Sequence, residues 1–144
     1  MTQTEVGLVF KDLCARIPYG TCIETNSDSV DGGRHILILC NVNATSILQN
    51  IKNLDVKPYL RSMDSMTEEE WEDYQKVRMI DWIREDINGT FINAGLIVDW
   101  LNAHHFDYRG LIEKNLALKA PDEMYTHFGD MKTVVTIENK GNRL

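Results

Sequence analysis

Thr67 followed by Glu70 is the feature that most constrains this chain. A Thr and a Glu three positions apart can each satisfy the other's backbone N–H, so the pair marks a helix start. Glu68, Glu69 and Glu70 add negative charge where the helix dipole favours it. The pair also divides the pattern of apolar residues. Before it, beyond a first helical stripe over 5–15, the apolar runs are short and bounded by turn residues. After it they recur at helical spacing. The expected fold is therefore α+β: a short N-terminal helix and a small antiparallel sheet over 1–62, packed with a helical segment over 63–144 as one compact unit. A partial SH3-like barrel is one form such a sheet can take.

Over residues 5–15, Val6, Val9, Phe10 and Leu13 lie on one helical face. Arg16-Ile-Pro-Tyr-Gly20 ends that helix, because Pro18 disfavours helical geometry at Ile17 and Gly20 permits a turn. Strands are expected over Thr21–Thr25 and His35–Asn41, the second of them buried, paired as a hairpin across the polar turn 26–33. Residues 44–54 suit either a helical turn or a third strand. Pro58 limits 56–60 to an edge strand or connector. The helix begun at Ser65 reaches about Met79 and can continue to Asp86. Val77, Ile80 and Ile83 do not hold one stripe, so a kink or break is expected, and Asn88-Gly89 reads as a turn.

Residues 94–104 carry the best helical stripe: Leu96, Ile97, Trp100, Leu101 and His104. Asp107 reads as the N-cap of a further short helix whose Leu111, Ile112 and Leu116 face inward. Thr133–Ile137 suits a last strand. Trp71, Trp82, Trp100, Phe106 and Leu111 are the expected seam between sheet and helices.

The net charge is −7 over 144 residues. Residues 64–86 hold nine acids and three bases, a local −6, so the rest of the chain is nearly neutral. That disfavours an extended nucleic-acid surface or an anionic membrane partner. It leaves room for a local basic pocket. No run approaches the length of a membrane helix, and residues 1–9 lack the basic start and apolar run of a secretory signal. Cys14, Cys22 and Cys40 have no C-x-x-C spacing and read as buried reduced thiols of a cytosolic protein. The sequons at Asn43 and Asn88 carry no weight without secretion.

Four segments are together distinctive: 13–20 (LCARIPYG), 56–63 (VKPYLRSM), 65–70 (SMTEEE) and 99–112 (DWLNAHHFDYRGLI). They resemble a family of small uncharacterised proteins carried by phages, prophages and mobile elements of gut anaerobes. The resemblance runs from Leu13 to Tyr125 and includes 117–125 (ALKAPDEMY). Where the family pattern has Leu-Arg-Pro-Met, this chain has Leu60-Arg-Ser-Met63. The resemblance carries over no activity. It implies a mobile-element origin and a non-housekeeping role in the host cytosol, where proteins of this size often counter host defence.

Two clusters could carry chemistry. His104, His105, Asp107, Tyr108 and Arg109 offer imidazoles, a carboxylate, a phenol and a guanidinium for a ligand. The same residues also suit a helix C-terminus joined to the next N-terminus. Arg16, Tyr19, Tyr59 and Arg61 could stack a base and hold a phosphate, or could be rim tyrosines with arginines reaching to solvent. Adjacent helical histidines point about 100° apart, so a metal at His104 and His105 is disfavoured, and His35 or His127 are not spaced to complete one. No nucleophile elbow, P-loop or dinucleotide fingerprint is present, and no cofactor is indicated.

The leading expectation is a non-enzymatic binding protein that engages a host protein or a small anionic ligand such as a nucleotide. The first alternative is a virion or replication accessory protein docking through the acidic helix. The second is a hydrolase using His104, His105 and Asp107. Self-association is compatible with all three.

Overall fold

The computed structural model describes residues 1–26, 33–88 and 94–125, with residues 80–88 and 94 described as backbone only. Its first helix, α1 (Gln3–Arg16), opens with a capping box of its own. Thr2 accepts from the Glu5 N–H, and Glu5 accepts from the Thr2 N–H at 2.8 Å. Val9 and Leu13 are buried and Val6 packs against the core, but Phe10 is 46% exposed and so leaves the expected apolar face. One tight turn over Ile17–Tyr19 follows, and Gly20 closes it at φ 66°, in the left-handed region.

The hairpin forms as β1 (Cys22–Asn26) and β2 (Arg34–Ile38), antiparallel, with Ile23 opposite Leu37. β2 is not the buried strand its composition suggests. It sits at the sheet edge, and Ile36 and Leu37 are 47% and 38% exposed. Only Leu39, one residue beyond the strand, is fully buried. The ambiguous stretch is helical: α2 (Ala44–Gln49) and α3 (Ile51–Leu54) bury Ala44, Ile47 and Ile51.

β3 (Lys57–Leu60) lies inside the sheet, whose order is β2-β1-β3-β4, although it contains Pro58. The pairing explains this. Lys57 and Pro58 pair with β1, whereas Tyr59 and Leu60 pair with the two-residue β4 (Leu118–Lys119). Pro58 lies opposite Ile23, whose backbone groups turn to β2. The proline nitrogen therefore points away from β1, toward the side where β4 begins only at Tyr59, and the missing N–H costs no ladder bond. β4 runs parallel to β3, making the sheet mixed rather than wholly antiparallel, and the outer strands β2 and β4 do not pair with each other.

The helix α4 (Glu68–Asn88) is continuous, without the expected break. Its capping box is formed: Thr67 N donates to Glu70 Oε1 at 3.0 Å and Glu70 N to Thr67 Oγ1 at 3.1 Å. Next, α5 (Ala94–Ala103) buries Leu101, and its Trp100 joins the seam. Tyr74, Trp100 and Phe106 form a chain of rings, with centroids 5.3 and 5.8 Å apart. Trp71 touches Tyr74 yet is 51% exposed, so it caps the seam rather than filling it. Trp82, Gly89 and Thr133–Ile137 lie outside the described side chains and residues.

The helix expected after Asp107 is absent. Residues 108–117 are turns, although Leu111 and Leu116 are buried as foreseen. Three segments end in the same way. Val56 N donates to Ile51 O, Phe106 N to Leu101 O, and Leu116 N to Leu111 O. In each, the preceding residue has positive φ: Asp55 at 47°, His105 at 61° and Asn115 at 60°. This is the Schellman closure, built here without glycine. The core beneath the sheet joins Val9, Leu13, Ile23, Leu39, Ile51, Val56 and Leu60 with Leu111 and Leu116, so both parts of the chain supply it.

Candidate functional site

The last turn of α1 brings two candidate residues together around one unforeseen carboxylate. Asp12 is fully buried and accepts from Arg16 through both oxygens, at 2.8 and 3.1 Å. The spacing is i,i+4, which places both side chains on one helical face. Arg109 reaches the same carboxylate at 3.2 Å. Arg16 also donates to Phe106 O at 2.7 Å and is 0% exposed, so it does not extend to solvent. Its Nη1 is buried and has no hydrogen-bond partner in the protein. Tyr108 lies under both guanidiniums, and its hydroxyl accepts from Arg109 and donates to buried Asn102. Tyr19 is nearby. Burial, then the charge of Asp99, raises its pKa.

Arg61 belongs elsewhere. Its backbone N–H donates to His105 O at 2.7 Å, and its carbonyl accepts from Asp107 N at 2.8 Å. The guanidinium meets both oxygens of Glu70 at 2.6 and 2.7 Å and lies over the Phe106 ring. Burial alone would raise the Glu70 pKa, but the bonds from Arg61 and Thr67 outweigh it and hold the carboxyl below its usual value.

The two histidines are separated by their backbone. His104 stacks on Trp100 at 3.8 Å, and its Nδ1 bonds the Trp100 carbonyl at 2.9 Å. Burial lowers its pKa. His105 turns the other way in its left-handed conformation. It contacts Thr21 Oγ1 at 3.2 Å and stacks on Tyr125 at 3.7 Å. Burial, together with Arg16 and Arg61, pushes its pKa down to about 3. Tyr125 was not foreseen as important. Its hydroxyl accepts from Cys22 N at 2.8 Å and donates to Tyr59 O at 2.9 Å, and burial raises its pKa well above the ordinary value. Tyr59 itself donates to Glu24 at 3.1 Å, and burial raises its pKa first of all. Asp107 accepts from the N–H groups of Leu111 and Ile112, both at 2.9 Å, so it caps a turn rather than a helix.

The nine candidate residues therefore do not converge. Arg16 and Arg109 hold Asp12, Tyr108 lies under both of them, and Tyr19 is near Tyr108. Tyr59 and His105 meet at Tyr125. Asp107 holds a turn. Only Arg61 and His104 line the open cleft, of about 520 Å3, between the start of α4 and the segment after β4. Glu69, Glu70, Asp73 and Asp122 face Arg61 and Lys119 there, so carboxylates outnumber cations. Asp12 had a sequence signal in its spacing from Arg16. Tyr125 and the cleft residues 119–122 had none, since distant pairing places them.

Among the described residues, no group of three His, Cys, Asp or Glu could hold a metal, and no helix is long and apolar enough to cross a membrane. Cys22 is buried, but Cys14 is exposed and Cys40 intermediate, contrary to the expectation of three buried thiols. Comparison with family models, curated proteins and solved structures finds no match to this chain.

Proposed function

We propose that the chain is a non-enzymatic binding protein of a phage or mobile element. It acts in the host cytosol by docking a host protein, one that presents basic side chains to the start of α4. One observation carries the choice of a protein over a nucleotide: Arg16, Arg61 and Arg109 are each already paired with a carboxylate. A phosphate would have to displace Asp12 or Glu70 to reach them. The exposed charge is of the opposite sign, with Glu68, Glu69, Glu72 and Asp73 on the solvent side of α4 and Trp71 exposed among them. An acidic surface with a half-exposed aromatic suits a basic protein partner.

Calorimetry with a lysine-rich peptide and with ATP tests the choice. The peptide should bind, with affinity falling steeply as salt rises. Binding should vanish in the triple variant Glu69→Lys, Glu72→Lys, Asp73→Lys, whose melting temperature should stay near wild type. Binding of ATP that is lost in Arg61→Ala would instead establish the nucleotide reading.

A further inference from the structure

We propose that two copies of the chain join through the free edge of β2, pairing antiparallel about Ile36 to make one continuous eight-stranded sheet. Sheet edges normally resist such pairing, because an unpaired row of N–H and C=O groups is a template for another strand. Among the described residues no strand pairs with the outer side of β2, and three observations favour a second copy there.

The first is the direction of the backbone groups. Leu39 N donates to Thr21 O, and the register sets Ile38 opposite Cys22. Residues 35, 37 and 39 therefore turn their backbone groups toward β1, and Arg34, Ile36 and Ile38 turn theirs outward. A two-fold axis at Ile36 then sets Ile36 against its own copy and Arg34 against Ile38. Each outward N–H of Ile36 and Ile38 meets a carbonyl. Asn43 marks where the free row ends, since its side chain donates to Ile38 O at 2.9 Å.

The second is charge. Arg34 is the one side chain on β2 that could guard the edge by permanent charge, and it is folded back. It pairs with Glu24 at 2.9 Å and Asp55 at 3.1 Å, and donates to Asn26 at 2.6 Å. What remains outside is His35 and the exposed Ile36 and Leu37, one apolar residue on each face of the strand.

The third is the position of the negative charge. The cleft at the start of α4 lies beside the segment after β4, the opposite edge of the sheet. β2 and β4 are three strand spacings apart, about 14 Å. Two-fold pairing at β2 therefore keeps the acidic surfaces of the two copies away from each other. Together, a self-complementary hydrogen-bond row, a neutralised arginine and distant acids fit a second copy of this chain.

Sedimentation and amide exchange over a wide dilution series test this. The expected mass at high concentration is twice the 16.6 kDa of one chain, with the Ile36 and Ile38 amides protected. Both should be lost on dilution. Ile36→Pro removes an outward N–H without touching the β1 ladder, and Ile36→Lys sets two like charges directly opposite. Each variant should be a monomer at every concentration. A wild type that stays at one chain mass throughout overturns the proposal, as does a dimer that persists in both variants. Concentration-independent protection of Ile36 and Ile38 in a monomer would also overturn it, because another segment of the same chain, such as Thr133–Ile137, would then cover the edge.

Discussion

Asp12 and Glu70 each grip an arginine with both carboxylate oxygens, in opposite surroundings. The Asp12–Arg16 side chains are both 0% exposed, while Glu70 and Arg61 are 16% and 17% exposed at the rim of a cleft. The chemistry is the same and the consequences differ. A buried pair gains little over an apolar replacement of both partners, but losing one partner strands a charge away from water. A rim pair loses little when broken, because water reaches the survivor. The first arrangement fixes a junction between α1 and the loop at Phe106. The second leaves both groups where a partner can compete for them.

The largest expected effect tests the buried half of this contrast. Arg16→Met should cost about 3–5 kcal/mol, because Asp12 keeps only Arg109 and Phe106 loses the donor to its carbonyl. Thermal melting should fall by roughly 10–15 °C. A loss no greater than that of Glu70→Gln would break the comparison.

An intermediate effect comes from His105, which lies between the two pairs and feels both guanidiniums. Its pKa is near 6.5 in an unfolded chain and about 3 when folded. Above 6.5 both states are neutral and the group contributes nothing to the slope. As pH falls from 6.5 toward 3, the unfolded chain takes up the proton and stability declines by up to about 1.4 kcal/mol per pH unit. Denaturant titrations across this range should show that decline, and His105→Gln should flatten it. An unchanged slope in the variant would remove His105 as its cause.

The smallest effect sharpens the rim half. Glu70→Gln keeps a capping oxygen but loses the ion pair, and should cost at most about 1 kcal/mol. The loss should shrink in about 1 M salt, whereas that of Arg16→Met should not. Because the Glu70 pKa is lowered, its contribution is present at neutral pH and fades as pH drops below the usual carboxylate range. Chemical denaturation of both variants at two salt concentrations separates the cases.

Local signals made much of this fold legible. The Thr67–Glu70 cap, the stripe of α5 and the hairpin each depend on residues close in sequence. What escaped depends on distance or on exceptions. Nothing local indicates that Leu118 and Lys119 pair beside Tyr59 and Leu60. The apolar run over 35–39 reads as buried because composition does not reveal which strand becomes the edge. The Schellman closures use Asp55, His105 and Asn115, so the usual glycine signal is missing. The site was legible in residue type but not in availability. Arg16, Arg61 and Arg109 were all recognised, and their occupation by Asp12 and Glu70 follows from packing across as many as 97 positions.

Arg61 also acts as a mechanical element. Its peptide group is clamped on both sides by His105 and Asp107, and its side chain holds the carboxylate that caps α4. Arg61 therefore links the tip of α4 directly to the strand register. A partner that pulls on the helix end pulls on β3 as well.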